Sequence, residues 1–449
     1  MDKLVIQGGH PLTGTIHVGG SKNTALPLMA AAVLADGTTT LHNMPVLRDV
    51  HTFANVLRVS GCVVEYKPDA DPSTPDSMVI DATRVDHPES PYDLVKKMRA
   101  SFYMLGALLG RCGEARVSMP GGCAWGPRPV DLHLEGMKAL GAEIELDRGD
   151  VVAKAPGGRL QGGRFRFDPV SVGATINVTL AAVMAEGETV LENVATEPDV
   201  VVFGEMLRQM GARIDGLGTK TITIQGVERL DPVTFWNCPD RIELGTYMIA
   251  AVMASEPGST FRITGARADH LGDAFPEAFR KTGADFSVEP EAEGPHEVVT
   301  VTVPETIQPV DIVTAPYPGF ATDLQAQWTV MMTQAEGTAT VTDTIYTDRF
   351  KHIPELNRMG TNCSVADNKV VVQGHGRNGI SGTTVMSTDL RASVSLVLAG
   401  LVAKGQTDVL RVYHLDRGYE DLEGKLSKAG IAIERVAYDE FAEDAEPVA

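Results

Sequence analysis

The stretch TINVTLAAVMAEGETVLENV, from Thr175 to Val194, decides the fold. An apolar helical run ends at an acidic residue and a glycine, and a strand rich in Thr and Val follows. The run is apolar around nearly its whole circumference, which is typical of a helix buried on all sides. The same unit occurs six times along the chain, at Thr24–Pro45, Phe102–Gly121, Thr175–Val194, Thr246–Gly265, Gln327–Ile345 and Ser393–Val412.

A second unit follows each of these and consists of an amphipathic helix, a glycine and a strand. Clear examples are Val130–Leu146, Val200–Ile214 and Leu422–Val436. A glycine directly after a helix favours the left-handed backbone that ends it. The six glycines predicted to take this role are Gly61, Gly141, Gly211, Gly283, Gly360 and Gly430.

Together the two units predict an α/β protein of six strand–helix–strand–helix–strand repeats, each of roughly 70 to 80 residues. A chain of 449 residues exceeds one ordinary core, so two domains of three repeats each are expected. The irregular stretch at residues 228–240 marks the cut. It gives a domain at 22–239 and a second at 1–21 plus 240–449, with the opening strand LVIQGG pairing in the second. The cleft between two such domains is the expected ligand site.

Composition excludes several classes of function. The net charge of −20 argues against broad nucleic-acid binding, and no apolar run is long enough to span a bilayer. Five sparse cysteines without a secretory signal pattern predict reduced thiols in the cytoplasm. The chain has no HExxH, Walker or GxGxxG motif, so we expect no metal, no nucleotide hydrolysis and no other cofactor.

Cations stand at the starts of several predicted buried helices. These are Lys22, Arg99, Arg241 and Arg391. The amino-terminal end of a helix disfavours a cation but binds anions, so the recurrence favours an anionic ligand. The alternative for each one alone is a solvated surface charge.

Four further residues are candidates for chemistry. Arg128, between two prolines, Arg349 and Arg417 suit recognition of phosphate or carboxylate, with surface ion pairs as the alternative. Cys123 follows Gly121 and Gly122 and is expected to be exposed, with a pKa lowered by nearby cations.

Two aspartates occupy corresponding places in TDLQAQ and TDLRAS. Asp323 and Asp389 each precede a buried helix. An aspartate there is most often a helix N-cap. A general base is the other interpretation, and it requires a substrate hydroxyl within hydrogen-bond reach.

Several of these segments carry a family resemblance. GGSKNTALPLMAA, YDLVKKMRAS, PGGCAWGPRPVDLH, PDRIELGT, TDLQAQ, TDLRAS and YHLDRGYE resemble the UDP-N-acetylglucosamine 1-carboxyvinyltransferase family, with ordered matches to about Val436. The resemblance implies a two-domain inside-out α/β barrel with three repeats per domain. It also implies transfer of the enolpyruvyl group of phosphoenolpyruvate to the 3′-hydroxyl of UDP-N-acetylglucosamine. The reaction proceeds through a tetrahedral intermediate and begins peptidoglycan synthesis in the bacterial cytoplasm.

The resemblance also implies roles for individual residues. Cys123 is expected to protonate the phosphoenolpyruvate methylene and to be the target of fosfomycin, and Asp323 to meet the sugar 3′-hydroxyl. Lys22, Arg128 and Arg417 are expected around the phosphate, Arg349 and Arg391 near the carboxylate, and Asp389 as a second acid. The expected nucleotide-sugar contacts are Asn23, Arg99, Arg128, Pro129, Val130, Asp131, Leu132, Val170, Ser171, Val172 and Ile345.

Two alternatives stay open at this point. One is a sister enolpyruvyl transferase with another acceptor, such as shikimate 3-phosphate or a nucleoside in a secondary pathway. The CAWGPRPVDL loop argues against the shikimate enzyme. The other is a catalytically silent nucleotide-sugar-binding paralogue, against which the intact set of charged residues argues. No nucleic acid, membrane or obligate protein partner is expected.

Overall fold

The computed structural model describes residues 2–67, 76–96, 98–119, 130–292, 294–377 and 379–438. The chain divides into two compact units. Unit 1 comprises Met1–Val18, Arg241–Ala315 and Gly319–Ala449, and unit 2 comprises Gly19–Asp240 and Pro316–Pro318. The domain limits predicted from the repeats, 22–239 and 1–21 plus 240–449, stay a prediction.

Unit 2 contains three repeats, each with one four-stranded sheet. In every sheet a short strand runs parallel to a longer one, and two antiparallel strands follow. In spatial order the sheets are Thr234–Trp236, Thr38–His42, Ser77–Asp81, Val63–Lys67; then Glu89–Ser90, Glu114–Ser118, Asp150–Lys154, Glu143–Asp147; then Arg164–Arg166, Glu188–Glu192, Thr221–Gln225, Arg213–Asp215.

Unit 1 repeats this plan with three more sheets. In spatial order they are Thr15–His17, Thr260–Ala266, Glu297–Thr302, Asp285–Pro290; then Ile312–Val313, Glu336–Thr342, Lys369–His375, Asn362–Ala366; then Thr384–Met386, Gln406–Leu410, Asp2–Gln7, Ala432–Ala437. The opening strand Asp2–Gln7 therefore pairs with two strands of the last repeat, as the sequence predicted.

The first helix of each repeat is buried, which confirms the prediction from its apolar circumference. These buried helices are Lys22–Ala32, Met104–Cys112 and Val172–Ala182 in unit 2, and Arg241–Ala254, Gln325–Thr333 and Leu390–Val402 in unit 1. In each unit they form the core with the inward side chains of the strands, such as Leu41 opposite Met78 and Leu4 opposite Val409.

The second helix of each repeat is amphipathic and half exposed. These outer helices are Arg48–Val59, Asp131–Ala139 and Pro198–Gln209 in unit 2, and Ala274–Lys281, Ile353–Arg358 and Leu422–Lys428 in unit 1. Tyr92–Val95 is a short additional helix. All six glycines predicted to follow the outer helices have positive φ, from 83° at Gly141 to 107° at Gly61. The turn chemistry read from the sequence is therefore confirmed.

Short 3-10 helices complete the elements, at Arg99–Tyr103, Pro156–Gly158, Ala268–Leu271, Thr322–Leu324 and Val412–Arg417. Three of them carry predicted site residues. Among the described residues, no helix is both long enough and apolar enough to cross a membrane.

Candidate active site

The first buried helix of unit 2 begins at Lys22. Ser21 is the N-cap, and its hydroxyl accepts a hydrogen bond from the backbone N–H of Thr24. The Lys22 ammonium lies 3.4 Å from the carboxylate of Asp49, and both side chains are largely buried. Asp49 thus compensates part of the charge that the helix end disfavours. Asn23, next along the helix, is half-buried.

Asn177 connects three helix starts in unit 2. Its side-chain amide donates to the carbonyl of Phe102 and lies 2.9 Å from Nδ1 of His133, while its carbonyl accepts from the N–H of Gly106. Phe102 belongs to the 3-10 helix that Arg99 opens, and His133 to the outer helix that begins at Asp131. Asn177 itself lies in the buried helix that begins at Val172.

The same contacts bring predicted nucleotide-sugar residues into one region of unit 2. Burial, reinforced by the positive charge of Arg99, lowers the pKa of His133 to about 3, so this imidazole is neutral. Val130 and Asp131 open the helix of His133. Ser171 is the N-cap of the next buried helix, and its hydroxyl accepts from the N–H of Ala174.

The remaining predicted contacts of unit 2 fall into two groups: those among the described residues and those outside them. Val170 and Val172 flank Ser171, and Leu132 follows Asp131. Cys123, Arg128 and Pro129 lie outside the described residues, so their predicted roles stay predictions.

Unit 1 holds the predicted base in an ion-pair cluster. The Asp323 carboxylate accepts from Arg349 Nη1 at 2.7 Å on one oxygen and from Arg391 Nη2 at 2.8 Å on the other. The two arginine side chains are only 9% and 5% exposed, whereas that of Asp323 is 26% exposed. A ligand can therefore reach the carboxylate more readily than the guanidinium groups that hold it.

This pairing dominates the electrostatics of Asp323. Burial alone would raise the pKa of its carboxyl group, but Arg391 and Arg349 outweigh burial and hold the pKa well below its ordinary value. Asp323 is therefore ionised in this arrangement. It is also a weaker base than a free carboxylate.

Packing and hydrogen bonds fix the turn that carries Asp323. Phe320, just before the 3-10 helix Thr322–Leu324, packs edge-on against buried Trp328 with ring centroids 5.2 Å apart. The Gln327 amide donates to the backbone carbonyl of Asp323 at 3.0 Å. The position of the carboxylate thus follows from the apolar core beneath it.

A polar network inside unit 1 holds Arg391. Its Nη1 donates to the Tyr419 hydroxyl at 3.2 Å, and that hydroxyl also contacts Thr246 and Gln327. These three partners are buried, and Thr246 and Gln327 lie in the other two buried helices of the unit. Each buried helix of unit 1 therefore contributes a polar side chain to this network.

The two aspartates at corresponding places in the repeats have different surroundings. Asp389 is the N-cap of Leu390–Val402, and its carboxylate accepts from the N–H groups of Arg391 and Ala392 at 2.9 and 3.2 Å. The N-cap interpretation is thus confirmed for Asp389. Asp323 makes side-chain contacts to two guanidinium groups instead.

Ile345 and Arg417 complete the predicted set in unit 1. The side chain of Ile345 is 38% exposed, and its N–H donates to the buried carboxylate of Asp343 at 2.9 Å. Arg417 ends the 3-10 helix Val412–Arg417 and is half-buried.

Sequence reasoning missed the residues that hold the predicted site residues in place in each unit. In unit 2 they are Asp49, His133 and Asn177; in unit 1 they are Thr246, Thr322, Gln327, Asp343 and Tyr419. Five of these residues lie within segments that carried the family resemblance, which was the available signal: His133, Thr246, Thr322, Gln327 and Tyr419. In the described ranges, no three His, Cys, Asp or Glu side chains are grouped to hold a metal ion.

Comparisons with known proteins identify the family. The family model of EPSP synthase (3-phosphoshikimate 1-carboxyvinyltransferase) matches residues 6–426. The UDP-N-acetylglucosamine 1-carboxyvinyltransferase of Chloroherpeton thalassium is 50% identical over 444 residues, covering 99% of each chain. That of Novosphingobium aromaticivorans is 47% identical, covering 98% of this chain and all of the relative. The chain belongs to the UDP-N-acetylglucosamine 1-carboxyvinyltransferase family.

Solved structures agree with this family on the fold. The enolpyruvyl transferase NikO from Streptomyces tendae matches with a TM-score of 0.82 and 27% identity, over 98% of this chain and 99% of that one. An EPSP synthase from Acinetobacter baumannii matches with a TM-score of 0.75 and 18% identity, over 97% of this chain and 100% of that one. The predicted α/β fold of six repeats is confirmed.

Proposed function

We propose that the chain transfers the enolpyruvyl group of phosphoenolpyruvate to the 3′-hydroxyl of UDP-N-acetylglucosamine and releases phosphate. Identity of 50% over 99% of the chain to a relative named for this reaction carries the proposal. The cluster of Asp323, Arg349 and Arg391 supports it, because it pairs an ionised carboxylate with two cations able to bind an anionic substrate.

The reaction has an addition step and an elimination step. In the addition, Asp323 takes the proton of the sugar 3′-hydroxyl, and that oxygen bonds to C2 of phosphoenolpyruvate. Cys123 gives a proton to C3, which produces a tetrahedral phosphate ketal. In the elimination, the C2–O bond to phosphate breaks and C3 returns a proton to the Cys123 thiolate, leaving the enolpyruvyl ether. The proton held by Asp323 leaves with the phosphate.

The geometry at Asp323 suggests how the base is activated. Two guanidinium groups hold the pKa of Asp323 well below its ordinary value. A substrate carboxylate or phosphate that binds Arg349 or Arg391 competes for the same N–H donors. Binding of phosphoenolpyruvate therefore weakens the pairing and raises the pKa of Asp323, which makes it a better base for the hydroxyl.

The other cations have roles that fit the substrate charges. Lys22, Arg128 and Arg417 surround the phosphate and stabilise it as it leaves, and Arg349 and Arg391 bind the carboxylate. A locally basic site of this kind is compatible with a net charge of −20. The nucleotide sugar contacts Asn23, Arg99, residues 128–132 and 170–172, Ile345 and Asp389.

The biological setting follows from this reaction. The enolpyruvyl ether of UDP-N-acetylglucosamine is the first committed precursor of peptidoglycan, so the chain acts in bacterial cell-wall synthesis. We place the reaction in the cytoplasm, where both substrates are made, and it requires no cofactor.

Phosphate release tests the proposal directly. Purified protein is mixed with phosphoenolpyruvate and either UDP-N-acetylglucosamine or shikimate 3-phosphate, and phosphate and product mass are followed. We expect release only with both phosphoenolpyruvate and the nucleotide sugar, and a product heavier by one enolpyruvyl group. Phosphate release with phosphoenolpyruvate and shikimate 3-phosphate, but not with the nucleotide sugar, would assign the activity of the sister enzyme. No release with either acceptor would favour a silent paralogue.

A further inference from the structure

Asp343 is a buried carboxylate for which the reaction has no direct use. Asp343 directly follows the strand Glu336–Thr342, and its side chain has no exposed surface. One carboxylate oxygen accepts from the Thr314 hydroxyl at 2.8 Å and from the N–H groups of Ile345 and Tyr346, both at 2.9 Å. The other accepts from the Thr322 hydroxyl at 2.6 Å.

The partners of this carboxylate are all neutral among the described residues. Burying a carboxylate is costly, and here four hydrogen bonds, rather than an ion pair, offset the loss of water. A neutral side chain of similar size would hold the same loop without that cost. The position of the negative charge therefore requires another explanation.

Thr322 supplies the explanation, because it links Asp343 to the cluster around Asp323. A hydroxyl has one proton, and the proton of Thr322 points to Asp343. Its oxygen is then left to accept from Arg349 Nη1, at 3.0 Å. The same Nη1 lies 2.7 Å from Asp323. The charge of Asp343 thus sets the direction of a chain of hydrogen bonds that ends at the predicted base.

We propose that Asp343 is a positioning residue for the transfer reaction and acts through Thr322 on Arg349 and Asp323. It contacts no reacting atom. It orients the guanidinium between two acceptors and also holds the N–H of Ile345, a predicted nucleotide-sugar contact. This inference rests on the proposed function and deepens it.

Asp343→Asn and Thr322→Val test the two links. In Asp343→Asn, the new amide keeps an oxygen for Thr314, Ile345 and Tyr346 but presents N–H groups to Thr322. The hydroxyl can no longer donate there, and it cannot donate to Arg349 instead because a guanidinium has no acceptor, so the chain is broken at Thr322. Thr322→Val removes the link at nearly constant volume. We expect each variant to lower kcat by about tenfold or more, with a smaller change in the KM for phosphoenolpyruvate.

The double variant separates positioning from a general effect on folding. If Asp343 acts through Thr322, Asp343→Asn adds little once the hydroxyl is gone, so the double variant should be within about threefold of the slower single variant. Thr322→Ser keeps the hydroxyl and should be within about threefold of the wild-type kcat. The proposal would be overturned if the fold losses of kcat in the two single variants multiplied in the double variant. It would also be overturned if Thr322→Ser were as slow as Thr322→Val.

Thr333→Val is the matched control. Thr333 is a buried threonine in Gln325–Thr333, and in the described part of the chain its hydroxyl donates to the backbone carbonyl of Val330 at 2.7 Å. It should keep the wild-type kcat. If Asp343→Asn does not fold, the three threonine variants still decide the matter. An inactive wild type contradicts the proposed function, whereas an active wild type matched by Thr322→Val contradicts this inference alone.

Discussion

At the scale of single residues, the candidate site of unit 1 is defined by competition for a few hydrogen-bond donors. Asp389 uses its carboxylate on backbone N–H groups, and Asp323 uses its own on Arg349 and Arg391. The two aspartates occupy equivalent places in the repeats, but one caps a helix and the other pairs with guanidinium groups. Only a carboxylate paired with side chains, rather than with backbone N–H groups, can lose its partners to a ligand.

Asp323→Asn should therefore remove most of the activity. The amide cannot accept the hydroxyl proton, and a lost general base lowers kcat by about 10²- to 10⁴-fold. Steady-state phosphate release measures the loss. Asp285→Asn is the control, since Asp285 forms an exposed ion pair with Arg280 in the same unit. Undiminished kcat in Asp323→Asn would show that another group takes the proton.

Sequence predicted the candidate residues of this site but not the side chains that orient them. Asp49, 27 residues from Lys22, is one example, and Asp343, 21 residues from Thr322, is another. Periodicity reports which face of an element is buried, and motifs report residue types. Neither reports which side chains from different elements meet, because that depends on packing across the repeat.

At the scale of elements, the contact between two buried helices of unit 2 determines the distance between them. A Cβ atom at Gly106 in Met104–Cys112 would lie 2.0 Å from the backbone carbonyl oxygen of Asn177. The N–H of Gly106 also donates to the Asn177 side chain. The two helices can thus touch only where one of them lacks a side chain.

Gly106→Ala should consequently separate the two helices. Because the obstacle is backbone, no rotamer change relieves the clash, and we expect a loss of about 3 kcal/mol or more in the free energy of unfolding. Gly110→Ala in the same helix is the matched control. Its Cβ would lie 3.0 Å from the Leu180 carbonyl oxygen, and alanine is the better helix former, so a change within about 1 kcal/mol is expected. Urea unfolding compares them, and equal losses would contradict the argument.

The fold itself was more accessible to sequence than the site. The buried helices and the positive-φ glycines followed from local patterns that recur six times. Because the pattern occurs in six copies, the prediction for one repeat can be compared with the predictions for the other five. The details that escaped, such as the 3-10 helices at Arg99 and Thr322, are single turns without a period of their own.

At the scale of the whole molecule, each unit contains a deeply buried imidazole that is neutral, His133 in unit 2 and His352 in unit 1. Burial, with the nearby charge of Arg99, lowers the pKa of His133 to about 3 in unit 2. Burial, with the charge of Arg349, lowers that of His352 to about 3 in unit 1. In the unfolded chain both histidines regain a pKa of about 6.5.

The sign of the effect on stability follows from proton uptake. Below about pH 6.5 the unfolded chain binds a proton at each histidine, while the folded chain does not until about pH 3. Stability therefore falls as the pH drops through this window. Between pH 7 and pH 5 the loss from each imidazole is about 2 kcal/mol.

Urea unfolding of wild type, His133→Asn, His352→Asn and the double variant at both pH values measures these losses. The quantity compared is the difference between pH 7 and pH 5 within each variant, so any constant destabilisation by the substitution cancels. Each single variant should lose about 2 kcal/mol of that difference, and the double variant about twice as much. A pH dependence unchanged in the double variant would mean that other groups control acid stability. A change in one single variant only would confine the effect to the unit that holds that histidine.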